Sequence, residues 1–306
     1  MLFSCLQFTV VVVQTSSACG VDQLEYQITD HNVQATVLDP SLCSIRGLVV
    51  DDSATWNLVS IHAHLGWEHT PNTRCGADAA QSEVHFIHQS SLDASARMVV
   101  AVWLDASDDD QSNDVLDYML QQWSALRDDN NNNNADCQDY VDDDGGGDDE
   151  RRRLDDGSPQ EILNVYDLMP RGSDVYAYNG SLTTPPCTEG VTWRVLDKTV
   201  RMSMAQYTTL VELITGYRDA DTCERLTVAD LSQNRTVRPT MPLNDREVLH
   251  LCPTGIRRKL ISFWLLGVAA VGAGAAGLLC RHRRIMSDNN QPLILTSTVT
   301  ELSEPL

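Results

Sequence analysis

Short runs in which apolar and polar residues alternate dominate the first hundred positions of the chain. Alternation with a period of two is typical of strands that bury one face, and it predicts strands at 33–38, 56–65, 83–88 and 96–104. The same pattern continues later, at 174–182 and 191–197. Apolar residues at helical spacing predict two helices, over 112–126 and 203–215. The chain is therefore predicted to have a mixed α/β fold that is predominantly β.

A strongly acidic low-complexity segment interrupts these elements at residues 128–157. It contains 12 acidic residues and 3 arginines, and such a segment buries too little apolar area to order itself. We interpret it as a solvated insert. A calcium-binding loop is the alternative, although the spaced ligands and turn glycine of an EF-hand loop are missing. The whole chain has a formal charge of −21, which argues against a nucleic-acid partner.

Apolar runs near both ends predict a membrane protein. Residues 1–18 resemble a signal peptide without its usual basic start, and an N-terminal strand is the alternative. The 21 residues of 260–280 carry no charge, and at 1.5 Å per residue they span about 30 Å, the thickness of a bilayer core. A buried core helix is the alternative for this run. The basic stretch RHRR follows and opens a tail, 281–306. We expect a single-pass type I protein with an extracellular or lumenal domain and a cytoplasmic tail.

The number of cysteines is consistent with a domain that lies in an oxidising compartment. The chain has nine cysteines, and seven of them would lie on the outer side of the predicted membrane, where disulfides persist. Asn234 begins the sequence Asn-Arg-Thr, which is an acceptor motif for N-glycosylation.

The stretch IHAHLGWEHT, at 61–70, holds three histidines. His62 and His64 are two positions apart, so a strand would point both imidazoles to one face. His85, in the next predicted strand, could approach from the neighbouring chain segment. Three imidazoles with an open fourth position are typical of catalytic zinc. A surface strand is the alternative for an isolated His-x-His pair.

Four sequence stretches resemble motifs of α-class carbonic anhydrases and occur in the order found in that family. They are IHAHLGWEHT (61–70), SEVHFIH (82–88), YNGSLTTPPCTEGVTW (178–193) and RPTMPLNDREV (238–248). The resemblance covers residues 28–250, and we assign the catalytic domain to 19–252. It implies a large twisted, mostly antiparallel central sheet with peripheral helices. It also implies Zn²⁺ and the reversible hydration of carbon dioxide to bicarbonate and a proton, by attack of zinc-bound hydroxide.

The resemblance also implies roles for single residues. The zinc ligands would be His62, His64 and His85. Thr183 would accept a hydrogen bond from the zinc-bound hydroxide, and Glu68 would accept the proton of the Thr183 hydroxyl. Because a hydroxyl has only one donor, Thr183 could then only accept from the group on the metal.

The residues around this centre follow from the same resemblance. Glu83 and Ser60 match the hydrogen-bond partners of His85 and His62, and Ser60 is shorter than the glutamine common in animal members. His69 matches a structural histidine. Thr184 would line the substrate site, and a wall for carbon dioxide would be formed by Ile87, Val99, Leu182, Val191 and Trp193; an ordinary apolar core is the alternative for the wall.

A proton must leave after each turnover, and His31 matches the shuttle histidine of the family, in a segment that resembles a family strand. A titration range near neutrality suits histidine to this task, and a plain surface histidine is the alternative. The resemblance also implies a disulfide for Cys187. Its usual partner lies in a region that we do not find here, so Cys19 is the first substitute and Cys43 the second.

The alternative function is a weak or inactive ectodomain that serves as a binding or adhesion module. Carbon dioxide and bicarbonate are the expected small-molecule partners. A bicarbonate transporter and a second copy of the chain are candidate protein partners.

Overall fold

The computed structural model describes residues 13–48, 54–69, 80–107, 111–133, 163–219, 222–227 and 235–251. Most of the predicted acidic insert, the sequon at Asn234 and the predicted segments 260–280 and 281–306 lie outside these residues. Among the helices that the structure describes, none combines the length and apolarity needed to cross a membrane.

A large sheet organises the described chain. Its strands are β1 (Gln14–Thr15), β2 (Leu24–Ile28), β3 (Val33–Val37), β4 (Ser44–Arg46), β5 (Trp56–Leu65), β6 (Ala80–Ser90), β7 (Arg97–Ser107), β8 (Val175–Ser181), β9 (Glu189–Leu196), β10 (Val200–Ser203) and β11 (Leu249–Leu251). The central path runs β1-β4-β5-β6-β7-β9-β8-β11, with β3 bridging β2 to β5 and β10 paired with β7. Every pair is antiparallel except β7 with β9 and β10 with β7. The prediction of a predominantly β, mostly antiparallel fold is confirmed.

The two faces of the sheet carry different kinds of side chain. On β5, Ile61, Ala63 and Leu65 enter the main apolar core together with residues of the helices. The alternate positions of β5, which include His62 and His64, point to the opposite face. A second, smaller apolar cluster lies there, built largely by β7 and β9. One strand therefore serves both the core and the candidate site.

Two α-helices accompany the sheet, α1 (Asp114–Asn133) and α2 (Met204–Gly216). Ser203 caps α2: its hydroxyl accepts from Gln206 N, and the Gln206 side chain accepts from Ser203 N. Arg127 of α1 lies 3.6 Å from the Glu212 carboxylate of α2. Short 3₁₀ helices span Val21–Gln23 and Val165–Leu168.

The predicted insert does not begin at residue 128, because α1 extends past that position. The sequence analysis placed a solvated loop from residue 128, whereas α1 continues through the asparagine run to Asn133. Extending a helix adds one hydrogen bond per residue and avoids the cost of nucleation. Poor helix formers can therefore follow an established helix for a few residues.

The predicted disulfide of Cys187 is also wrong. Cys19 and Cys43 bond to each other, and both are fully buried, while Cys187 is a free, partly buried thiol. Cys43 directly precedes β4 and Cys19 follows β1, and the pairing of β1 with β4 brings these two segments together. Within the predicted signal peptide, β1 pairs with β4.

Candidate metal centre

The register of two neighbouring strands brings three histidines together. His62 on β5 lies directly opposite His85 on β6, and His64 lies opposite Glu83. All three imidazoles are buried. One ring nitrogen from each can be chosen so that the three lie within 4.8 Å of one another. The sequence-predicted ligand set therefore converges on one point.

The spacing of one pair of these nitrogens suits a tetrahedral zinc ion. His62 Nε2 and His85 Nδ1 are 3.2 Å apart, and two nitrogens at about 2.05 Å from a tetrahedral zinc are about 3.3 Å apart. Burial, and next the nearby histidines, lower the pKa of His62 well below 6.5. Burial, and next His85, lower the pKa of His64 to about 4. Both rings are thus neutral near pH 7, as metal binding requires.

Glu83 forms hydrogen bonds that orient residues of the candidate metal centre. Its side chain is fully buried. Oε1 accepts from His85 Nε2 at 2.8 Å and from His69 Nδ1 at 2.5 Å. Oε2 accepts from the backbone N–H groups of Glu68 at 2.9 Å and His69 at 3.1 Å. Because His85 donates through Nε2, its Nδ1 keeps a lone pair for a metal.

The charge state of this network follows from its contacts. Burial alone would raise the pKa of the Glu83 carboxyl, but the nearby charge of His69 and the hydrogen bonds from His69 and His85 hold that pKa well below 4.5. Burial alone would lower the pKa of His69, but the charge of Glu83, the hydrogen bond to Glu83 and the charge of Glu68 together raise that pKa above 6.5. A carboxylate therefore persists in a fully buried position.

His69 is a hydrogen-bonded structural residue in this arrangement. Besides Glu83, its Nε2 lies 2.7 Å from the Tyr178 hydroxyl. Sequence reasoning did not assign a role to Tyr178, although its alternation with Tyr176 and Gly180 on β8 was a usable signal. Gly180 is required here, because a Cβ at that position would lie 2.9 Å from the Tyr178 ring and 3.1 Å from Trp193.

Glu68 is close to the centre but does not make its predicted contact. Its Oε1 accepts from the backbone N–H of Arg238 at 2.9 Å, and its Oε2 lies 4.0 Å from His85 Nε2. Within the described part of the chain, Oε2 is buried without a hydrogen-bond partner. The predicted bond from the Thr183 hydroxyl is therefore not formed. Thr183 lies on the loop between β8 and β9, where no strand register fixes its distance from Glu68.

Arg238 is a second residue that sequence reasoning missed. Its backbone contacts Glu68, and its Nη1 donates to Ser181 Oγ at 3.3 Å and to the Leu182 carbonyl at 3.5 Å. It thereby joins Glu68 to the segment that leads into Thr183. Its place in the recognised RPTMPLNDREV motif was the available signal.

The predicted wall residues share one apolar cluster on the site face. Val99, Val191 and Trp193 are buried members of this cluster, and Ile87 and Leu182 pack against it while partly exposed. The Trp193 ring lies 5.0 Å from the His85 ring. Thr184 lies in the partly buried part of the same loop as Thr183. An apolar surface therefore adjoins the three histidines.

Ser60 shares the site face with His62 because it is two residues earlier on β5. Its hydroxyl does not hydrogen-bond to Nδ1 of the ring: among the described residues, His62 Nδ1 is buried and has no hydrogen-bond partner. Both ring nitrogens of His64 are likewise unpartnered there. Ser60 therefore does not form the hydrogen bond to His62 that the resemblance implies.

His31 lies in the turn between β2 and β3 and not in a strand, which corrects the expected strand position. Thr29 closes this turn by donating its backbone N–H to Asn32 O at 2.8 Å. The imidazole is 30% exposed and pairs with Asp30. After burial, His64 and His85, His31 is a further cause of the lowered pKa of His62. It is therefore close enough to interact electrostatically with the centre.

Comparison with protein families gives a match over residues 13–252 to the family described as eukaryotic-type carbonic anhydrase. Human carbonic anhydrase 6 is 38% identical over 91 residues, which cover 28% of this chain and 25% of that protein. Human carbonic anhydrase-related protein is 37% identical over 75 residues, which cover 24% of this chain and 25% of that protein. These matches thus span about a quarter of each relative.

A solved structure of similar fold is the α-carbonic anhydrase from Thermovibrio ammonificans in complex with the inhibitor sulfanilamide. The TM-score is 0.50 at 22% identity, and the match covers 80% of this chain and 81% of that chain. At this identity the likeness concerns the fold.

Proposed function

Since this chain belongs to the eukaryotic-type carbonic anhydrase family, we propose that it catalyses the reversible hydration of carbon dioxide to bicarbonate and a proton, with Zn²⁺ held by His62, His64 and His85. The observation that carries the proposal is the convergence of three buried imidazoles, with ring nitrogens 3.2 Å apart in one pair. When bound, Zn²⁺ lowers the pKa of a bound water, as is known from carbonic anhydrases themselves.

The protein groups around the metal would divide the remaining work. Glu83 keeps the proton of His85 on Nε2, so that Nδ1 faces the metal. The Val99, Val191 and Trp193 surface gives carbon dioxide an apolar contact and limits the access of water. Carbon dioxide has no net charge and no hydrogen-bond donor, so it is suited to an apolar surface.

Glu68 and Thr183 would orient the attacking group. The unpartnered Oε2 of Glu68 is an acceptor without a donor, and the Thr183 hydroxyl would supply that donor when the loop between β8 and β9 closes on it. Thr183 would then offer only lone pairs toward the metal. Arg238, which contacts both Glu68 and the loop, would hold the two together.

His31 would transfer the released proton to solvent. Its partial exposure and its Asp30 partner suit an imidazole that exchanges protons with buffer. The imidazole would take up the released proton and give it to buffer in bulk solvent.

Stopped-flow measurement of carbon dioxide hydration tests this function. We expect zinc-dependent turnover from the unaltered protein and loss of both zinc and turnover in His85→Ala. His250→Ala is the matched control, because His250 is 42% exposed and pairs with Asp174 at the sheet edge. Zinc retained by His85→Ala would show that the ligand set is wrong.

A binding module is the second candidate function. It is favoured by the absent Thr183–Glu68 hydrogen bond and by the similarity to a carbonic anhydrase-related protein. A folded, zinc-loaded protein without measurable hydration would support this alternative and overturn the enzyme proposal.

We further propose that residues 260–280 anchor the protein as a single-pass type I membrane protein. The support is the uncharged run of 21 residues followed by RHRR. Alkaline carbonate extraction of cell membranes should leave the full chain in the pellet, whereas the chain truncated after residue 259 should be released. Release of the full chain would overturn the proposal.

A further inference from the structure

No residue on β5 fixes the tautomer of His62 by a hydrogen bond. Its Nε2 meets His85 Nδ1 at 3.2 Å and is therefore the nitrogen available to a metal. A neutral imidazole has one N–H and one lone pair, so Nδ1 must carry the proton. Yet Nδ1 is buried, and no group among the described residues accepts from it. A buried donor without an acceptor destabilises the state that needs it.

The strand on the other side of β5 offers a polar group at the right position. β3 pairs with β5 so that Gln34 lies directly opposite His62 and Thr36 directly opposite Ser60. Directly opposite residues project to the same face, with Cβ atoms about 4.5–5.5 Å apart. Gln34 and Thr36 are partly buried on the site face, whereas Val33, Ala35 and Val37 fill the core. A glutamine side chain can bridge such a gap, alone or with one water.

The other neighbours of His62 are less suited to accept its proton. His64 and His85 have their own nitrogens directed at the same centre. Ser60 has only one heavy atom beyond Cβ and forms no hydrogen bond with Nδ1. Gln34 donates through Nε2 to Thr36 Oγ1 at 3.4 Å, and this bond orients its amide while Oε1 remains an acceptor.

We propose that Gln34 is a positioning residue of the metal centre: its Oε1 accepts the Nδ1–H of His62 across the β3–β5 pair, directly or through one water. The contact fixes the tautomer in which Nε2 faces the metal. This inference rests on the zinc site of the proposed function. The residue that orients His62 then lies on the neighbouring strand β3, because Ser60 on β5 forms no hydrogen bond with His62 Nδ1.

Zinc affinity of the full-length protein tests the proposal, measured by competition with a chromogenic chelator. Gln34→Leu should weaken zinc binding about tenfold or more, since leucine fills similar space but accepts nothing. Gln34→Glu keeps an acceptor and should bind zinc as tightly as the unaltered protein or more tightly. Gln27→Leu is the matched control, because Gln27 lies opposite Gln34 on β2 but is exposed. Ser60→Ala should leave the affinity unchanged.

A second measurement separates positioning from folding. In the zinc-loaded protein, the Nδ1–H proton of His62 should be visible by ¹⁵N-edited NMR, and Gln34→Leu should speed its exchange with solvent. Thermal unfolding of the metal-free Gln34→Leu protein should match that of Gln27→Leu, because both positions lie outside the main core.

Three outcomes would overturn the proposal. Equal zinc affinity of Gln34→Leu and Gln27→Leu would remove the role of Gln34 while leaving the zinc site intact. A loss confined to Ser60→Ala would assign the role to Ser60. Failure of the unaltered protein to bind zinc would overturn the zinc site itself, and with it both proposals.

Discussion

Glu83→Gln is the substitution for which the structure gives the clearest expectation. The carboxylate accepts four hydrogen bonds, two at each oxygen, from His85 Nε2, His69 Nδ1 and two backbone N–H groups. Glutamine has nearly the same shape but replaces one oxygen with an NH₂ group. Whichever way the amide is turned, two of the four donors would face another donor.

The size of the effect follows from these two lost bonds. A hydrogen bond to a charged group contributes about 1.5–3 kcal/mol, and a buried donor left without an acceptor costs about as much. Two such losses predict a decrease of about 3–6 kcal/mol in the free energy of unfolding. Glu83 is 0% exposed, so solvent does not screen the loss. A domain is typically stable by about 5–15 kcal/mol, and the decrease is therefore severe.

Urea unfolding of the metal-free protein measures this change, with Glu25→Gln as the control. Glu25 is exposed on β2, and its substitution should change stability by less than about 0.5 kcal/mol. Zinc affinity should also fall about tenfold to hundredfold in Glu83→Gln, because the tautomer of His85 is no longer fixed. A decrease in stability below about 1 kcal/mol, with zinc affinity unchanged, would refute the reasoning.

The same residue predicts a pH dependence. Because the pKa of Glu83 in the folded protein lies well below 4.5, the unfolded chain takes up the proton first. The contribution of Glu83 is therefore complete above pH 4.5 and is lost as the pH falls through the folded pKa. Glu83→Gln should lack this part of the acid sensitivity.

Three further predictions concern other parts of the chain. Burial lowers the pKa of His88 from 6.5 to about 3, so the free energy of unfolding should fall as the pH drops below 6.5. In urea unfolding, His88→Phe should reduce the loss of stability between about pH 6 and about pH 4.5 by about 2 kcal/mol. The same loss of stability in His88→Phe and in the unaltered protein would contradict this. Cys187→Ser should remove one equivalent of reactive thiol and leave the Cys19–Cys43 disulfide intact; the appearance of an additional thiol would show that Cys187 is paired. His31→Ala should slow hydration in weak buffer and be rescued by imidazole, whereas an unchanged rate would remove the shuttle role.

Strands that bury one face were predictable because their side chains alternate. The bounds predicted for β5 were confirmed, 56–65, and its alternation placed His62 and His64 on one face. β6 and β7 run a few residues longer than predicted. The short strands β1, β4, β10 and β11 have two to four residues each, and periodicity cannot be read over so few positions.

Contacts between distant segments were less accessible to sequence reasoning. Gln34 opposite His62 follows from the pairing of β3 with β5, and pairing partners are not encoded in either strand alone. Arg238 reaches Glu68 across 170 residues. The Cys19–Cys43 bond was missed because the resemblance directed attention to Cys187, and connectivity cannot be deduced from cysteine positions alone.

β5 carries core residues on one face and the candidate metal ligands on the other, so metal binding depends on the correct strand register. Moving β5 by one residue against β6 would exchange the faces of all its side chains, so that Ile61 would take the place of His62 and the imidazoles would enter the core. A chain trapped in that register could not hold zinc, and its buried histidines would lack partners. Zinc added during refolding should therefore select the correctly paired hairpin from misaligned forms.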